Sequence, residues 1–138
     1  MGFLMGVANP AFSNDTLVEA VIWVESRNNQ TATSQKGAVG LMQLTPIAVR
    51  EVNRLNLVGR EVLFEEVRLD SKVNVEVGAA FLYHLIKKFN SVELGLAAYN
   101  AGEGRVVKAG YKIPNIKETQ NYVRNVLELW ESLKENNE

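Results

Sequence analysis

From Thr16 onward, apolar side chains recur at three- and four-residue intervals, the signature of amphipathic helices. Leu17, Val18, Val21, Ile22 and Val24 mark a first helix, with Ser13 or Asn14 as its cap and Asp15 in its first turn. Polar residues take over at Arg27–Asn29, where this helix should fray, and Gln30–Gly40 reads as a polar loop holding two glycines. Thr45–Pro46 joins a capping hydroxyl to a proline at the first helical position, predicting a helix through Val49, Val52 and Leu55 to about Asn56. Asp70 caps a longer helix carrying Val73, Val77, Ala80, Phe81, Leu82, Leu85 and Phe89, and Ser91 caps a short one from Leu94 to Tyr99. The stretch AGEGRVVKAGYKIPNI, with three glycines and a proline, is a turn-rich connection with one short helix at Arg105–Lys108. A final helix runs from about Lys117 through Tyr122, Val123, Val126, Leu127 and Trp130 to Leu133. There is no internal repeat, linker, charge block or run of period-two alternation. The expectation is an all-α chain, a single compact helical domain with little or no β-structure.

Composition narrows the chemistry. A chain of 138 residues fits one domain. The first dozen residues, MGFLMGVANPAF, lack the basic segment and long apolar segment of a secretory signal. They read as an expression scar or the remnant of a trimmed export sequence, with residues 13–138 as the domain. No apolar stretch approaches the ~20 residues of a membrane-spanning helix, so this chain is expected to make no stable membrane insertion. Lys and Arg number 15 against 16 Asp and Glu, a balance that argues against nucleic acid as a partner. The absence of Cys excludes disulfides, thiolate nucleophiles and Cys-ligated zinc. The lone His84 sits in AAFLYHLIKKF, where it reads as a packed or half-exposed helix residue. Catalysis, if any, is left to carboxylates and hydroxyls.

Four polar islands interrupt the helical pattern. ESRNN, Glu25–Asn29, closes the first helix, and Glu25 follows Trp23 and Val24 along the edge of its buried face. A carboxyl beside apolar surface loses hydration and holds its proton more tightly, as a general acid near neutral pH requires. In SQKGAVGLMQLTP, Ser34–Pro46, Gly37 and Gly40 allow close backbone approach, and Gln43 breaks an apolar clamp at Leu41–Leu44. A buried amide must be paired, by the protein or by a polar ligand. LAAYNAGEG, Leu96–Gly104, ends a helix with Tyr99 and Asn100, an aromatic hydroxyl and a carboxamide suited to the two faces of a sugar. Gly102 suits a left-handed helix cap there. IPNIKETQNYV, Ile113–Val123, sets Glu118 and Thr119 at a helix start, with Tyr122 four residues after Glu118 on the same face. Each island alone also has an ordinary structural reading: a solvated glutamate, a supporting loop, a helix end.

Together, in this order, the islands resemble the catalytic domain of soluble lytic transglycosylases, lysozyme-like enzymes that cleave peptidoglycan and are related to goose-type lysozyme. The resemblance runs from about Thr16 to Trp130 and includes the spaced Asp70, Asn74 and Gly78. One departure is Gln30, where the family often has proline; it should alter the loop entry without touching the acid. Residue by residue, the resemblance implies that Glu25 is the single catalytic acid and base. It implies that Ser34 contacts substrate near the acid, and that Met42 and Gln43 line the cleft beside the scissile bond. Tyr99 and Asn100 match an aromatic–amide pair opposite the acid, and Glu118 with Tyr122 matches the motif that closes the site.

The implied reaction breaks the β-1,4 bond between N-acetylmuramic acid and N-acetylglucosamine with N-acetyl assistance, and closes a 1,6-anhydro ring without water. No metal or organic cofactor is expected. Peptidoglycan glycan strands are the expected partner, the bacterial envelope or periplasm the expected location, and a monomer the expected state. Two rivals are a goose-type-lysozyme-like hydrolase of the same bond and a non-catalytic glycan-binding module. A third is a bare helical interaction domain, for which the islands would be coincidence.

Overall fold

The computed structural model of the chain describes residues 15–136. Seven helices follow one another among these residues: α1 Thr16–Ser26, α2 Pro46–Arg54, α3 Phe64–Leu69, α4 Ser71–Phe89, α5 Val92–Ala101, α6 Glu103–Lys108 and α7 Lys117–Asn136. The described residues form no strand. Two isolated antiparallel bridges, Thr33 with Val39 and Val39 with Leu44, tie the long loop between α1 and α2. The fold is all-α, as the hydrophobic pattern implies. No helix of the described residues is long and apolar enough to cross a membrane.

The helix starts follow capping chemistry. Thr45 accepts from Ala48 N with Pro46 behind it, Ser91 accepts from Leu94 N, and Asp70 Oδ1 accepts from Lys72 N at 2.9 Å. At α1 the sequence reading needs correcting. Asp15 is the cap itself rather than a first-turn residue: its backbone is extended and its Oδ1 accepts from Val18 N at 2.9 Å. Ser13 and Asn14, expected as caps, lie outside the described residues, as does the N-terminal dodecapeptide. Replacing Thr45 by alanine should cost about 1 kcal/mol, read as a lower midpoint in chemical denaturation. An unchanged midpoint would mean the Thr45 hydroxyl contributes nothing to the start of α2.

Within α4 the chain passes from a compact unit ending at Ala80 to a second beginning at Phe81. In the first unit the buried side chains include Val18, Val21 and Ile22 of α1, Leu41, Met42 and Leu44 of the loop, Val49 and Val52 of α2, and Val67 and Val75. Helix α3 has no counterpart in the sequence reading, since it is short and only Val67 in it is buried. Its start is marked by Glu66 Oε1 accepting from Leu63 N.

In the second unit α5 packs against α6 and α7. Leu82 and Leu85, Leu96 and Ala97, Val106, and Val123, Val126 and Leu133 are its buried aliphatic residues. A Cβ on Gly95 would overlap Ile86, so this glycine sets how closely α5 meets the end of α4. Gly102 differs from expectation. Its φ is 94° but its ψ is 142°, an extended conformation open to glycine rather than the left-handed cap. It closes α5 by donating to Ala98 O and opens α6 by accepting from Arg105 N, so one residue turns two helices. His84 is half-buried on α4, as its surroundings in the sequence suggest.

Candidate functional site

In the first unit the candidate acid stands in the last turn of α1. Glu25 is half-buried, and the helix ends one residue later, where Arg27 and Asn28 take positive φ values of 54° and 63°. Two consecutive left-handed non-glycine residues are costly unless surrounding contacts hold them. Here the neighbours do so. Arg27 N donates to Trp23 O, the Arg27 guanidinium lies 5.1 Å from the Trp23 ring centroid, and Asn29 N donates to Ser26 O at 3.1 Å. The Asn29 carboxamide then accepts from Thr31 N and Thr31 Oγ1, so the chain leaves the acid through a braced turn.

The loop that follows is fastened back to this helix end. The buried Ser26 hydroxyl donates to Leu41 O at 2.9 Å. Gln30 Oε1 accepts from Leu41 N at 3.1 Å, while its Nε2 donates to Arg68 O at 2.9 Å and Val67 O at 3.2 Å. Asn74 of α4 completes the clasp: Oδ1 accepts from Met42 N at 2.8 Å and Nδ2 donates to Val39 O and Val67 O, both at 3.0 Å. Three side chains from α1, its exit and α4 thereby satisfy the main chain of residues 39–42. Gly40, with φ 80°, is required here because a Cβ would overlap Asn74 Nδ2.

This arrangement places the residues singled out in the loop. Ser34 is half-exposed, and its Oγ accepts from Lys36 N and Ala38 N, which leaves its hydroxyl proton available to donate. Gln43, at φ 51°, is paired by the protein: its Nε2 donates to Ala32 O at 3.0 Å and Gly40 O at 3.1 Å. Met42 is a correction to the expected cleft lining. It is 0 % exposed, and a Cβ on Gly78 would stand 2.6 Å from its Sδ, so its side chain packs against α4.

In the second unit Tyr99 and Asn100 lie near the end of α5, both half-buried. The Tyr99 ring stands 5.9 Å from that of Phe81, tilted by 48°. Asn100 Oδ1 accepts from Thr119 Oγ1 at 2.9 Å. On α7, Glu118 is exposed, whereas Tyr122, four residues on, is only 6 % exposed. The two were expected on one face as joint substrate contacts. Tyr122 is buried and Glu118 is exposed, so the two differ in what they present to solvent.

The sequence marked Gln30 as a departure from the family pattern, Asn74 as one of three spaced residues and Thr119 as a helix-start residue, but not the partners through which they organise these regions. Asn74 carries a local signal as well, as a polar residue between Val73 and Val75 on an apolar helix. No three His, Asp or Glu side chains come together as metal ligands among the described residues.

An all-helical chain with an acid closing its first helix and a glycine-turned loop clasped behind it belongs to the class of lysozyme-like helical domains. Residues 9–122 match the transglycosylase SLT domain, and the chain belongs to that family. It is 36 % identical over 87 residues to the membrane-bound lytic murein transglycosylase E of Buchnera aphidicola, covering 62 % of this chain and 39 % of that one. It is 33 % identical over 122 residues to the soluble lytic murein transglycosylase of Escherichia coli K12, covering 78 % of this chain and 19 % of that one. Among solved structures, an inactive mutant of the lytic transglycosylase Slt of Pseudomonas aeruginosa superposes with a TM-score of 0.77 at 30 % identity, covering 88 % of this chain and 21 % of that one. This chain therefore spans a minor part of the length of each of these relatives.

Proposed function

We propose that this domain is a peptidoglycan lytic transglycosylase that cleaves the β-1,4 bond between N-acetylmuramic acid and N-acetylglucosamine with a single acid and base, Glu25. Membership of the SLT family supports the reaction class. The observation that carries the one-carboxylate mechanism is the engagement of both aspartates. Asp15 accepts from Val18 N and Asp70 from Lys72 N as helix caps, which supports a reading in which Glu25 acts without an aspartate as second carboxylate. Glu103 is likewise engaged, paired with Lys88 at 2.6 Å.

Protonated Glu25 gives its proton to the glycosidic oxygen. The C1–O bond breaks, its electron pair leaves with the N-acetylglucosamine O4, and the acetamido oxygen of the muramic residue closes on C1. Glu25, now a carboxylate, takes the proton of the muramic C6 hydroxyl as O6 attacks C1. The C1–O bond to the acetamido oxygen breaks, the acetamide is restored, and the product is a 1,6-anhydro sugar with no water consumed. Tyr99 and Asn100 hold the acetamido group for this attack, Ser34 and Glu118 contact the glycan, and Gln43 keeps the loop in place. Neither a metal nor an organic cofactor takes part. The substrate places the work in the bacterial envelope, in the periplasm, and the domain acts as a monomer on glycan strands.

The test is mass spectrometry of the soluble products released from purified peptidoglycan. Anhydro-muropeptides, lighter by one water than reducing-end fragments, are the expected result. Reducing-end products would reassign the domain to hydrolysis. Binding without any product would make it a glycan-binding module.

A further inference from the structure

Only three polar residues are buried among the described residues, and two of them, Ser26 and Asn74, are consumed by the clasp on the loop. The third is Thr119, which is 1 % exposed at the third position of α7. A hydroxyl in the first turn of a helix ordinarily finds a backbone partner close by. Thr119 instead donates across nineteen positions of sequence to Asn100 Oδ1 at 2.9 Å.

The buried Thr119 hydroxyl needs an acceptor, and with Oδ1 serving as that acceptor the two ends of the Asn100 carboxamide are assigned. An amide side chain is close to two-fold symmetric in shape, and its orientation is set by its partners. With Oδ1 accepting from the Thr119 hydroxyl, the group left to a ligand is the Nδ2 amine, a donor. Asn100 is half-buried at the end of α5, so a ligand can reach it while Thr119, behind it, is out of reach.

We propose that Thr119 is a positioning residue that fixes Asn100 as a hydrogen-bond donor, so that Asn100 selects an acceptor atom on the substrate. Within the reading above, that atom is an oxygen of the glycan, and the proposal rests on that reading for its substrate. The Thr119 hydroxyl touches no substrate; it acts through Asn100. Burial gives the bond its force, because a hydroxyl removed from water must find an acceptor.

Thr119→Val keeps the branched shape and removes the donor, whereas Thr119→Ser keeps the donor and removes a methyl. The expected result is that Thr119→Val lowers kcat on peptidoglycan about ten- to a hundred-fold with a smaller change in KM, because misorientation is felt at the reacting centre. Thr119→Ser should restore most of that loss. In an Asn100→Ala background Thr119→Val should cost nothing further, since its partner is gone. Asn100→Asp, which offers an acceptor where a donor is needed, should lose at least as much as Asn100→Ala.

A merely structural Thr119 would lower stability, leave kcat per folded molecule unchanged and add to Asn100→Ala in full. Any of those kinetic outcomes overturns the proposal, as does an active Asn100→Asp. A readout independent of turnover separates this from failure of the functional reading. In nitrogen-15 spectra of the free protein, the Asn100 side-chain amine pair should be distinct in the wild type and Thr119→Ser, and move toward the solvent-averaged position in Thr119→Val. If the wild type releases no products and this shift is seen, the assigned reaction falls and the orienting role stands. An Asn100 pair identical in wild type and Thr119→Val overturns the orienting role whatever the activity.

Discussion

Glu25→Gln should abolish release of anhydro-muropeptides while the protein stays folded and still sediments with peptidoglycan. The substitution keeps the length and shape of the side chain but takes away the proton that is donated and the carboxylate that later accepts one. Each of those roles contributes on the order of 10²–10⁴-fold in rate, so a loss of at least about 10³-fold is expected. The half-buried position at the end of α1 tolerates an uncharged amide, so stability should change little. Turnover by the variant at more than about a tenth of the wild-type rate would remove Glu25 from the mechanism. The Pseudomonas aeruginosa relative whose structure this chain matches was solved as an inactive mutant.

The second large effect concerns stability. Asn74→Leu deletes three buried hydrogen bonds at once, leaving Met42 N–H without its acceptor and Val39 O and Val67 O without that donor. Val39 O and Val67 O lose a donor at a site where Asn74 is 0 % exposed, so water does not readily replace it. Stranding Met42 N–H costs about 1–3 kcal/mol, while Val39 O keeps Leu44 N and Val67 O keeps Gln30 Nε2 as donors, so a total of about 2–3 kcal/mol is expected, a large part of the stability of a small domain. Gly40→Ala should be destabilising through the same contact, since its methyl group must displace Asn74 at a backbone φ of 80°. Urea denaturation followed by tryptophan fluorescence measures both. A loss below about 1 kcal/mol for Asn74→Leu would show that the loop is held by its own bridges and the clasp is redundant. If Asn74→Leu proves insoluble, Asn74→Asp serves: it keeps the acceptor for Met42 N but turns a carboxylate oxygen toward two carbonyls.

The same clasp shows what Gln30 does at the exit of α1, where the resemblance leads one to expect a proline. A proline would stiffen the exit from α1 by its ring. Gln30 achieves the fastening through its carboxamide, which joins Leu41 N to the last carbonyls of α3. The sequence shows the substitution but not its consequence, because Leu41 and Arg68 lie eleven and thirty-eight positions away.

What the sequence by itself determined is local. Apolar spacing defined the long helices to within a few residues, since burying one stripe of a 3.6-residue repeat is a property of the segment alone. Capping chemistry located the starts at Thr45–Pro46, Asp70 and Ser91 for the same reason. The ordered motifs also announced the family, with Glu25 at the end of the first helix. The tertiary structure alone decided which polar residues are paired within the fold. Gln43 and Asn74 look alike in sequence as amides among apolar neighbours, and both turn out to be paired by backbone carbonyls distant along the chain. Met42 and Tyr122 sit inside motifs yet are covered, because burial depends on what packs over a side chain and not on the residues flanking it. Thr119 reads as a helix-start residue, and only the approach of α7 to α5 gives its hydroxyl the Asn100 carboxamide as a partner. A hydrogen bond is formed between atoms within about 3 Å in space, and distance in space between residues far apart in sequence is what the fold supplies.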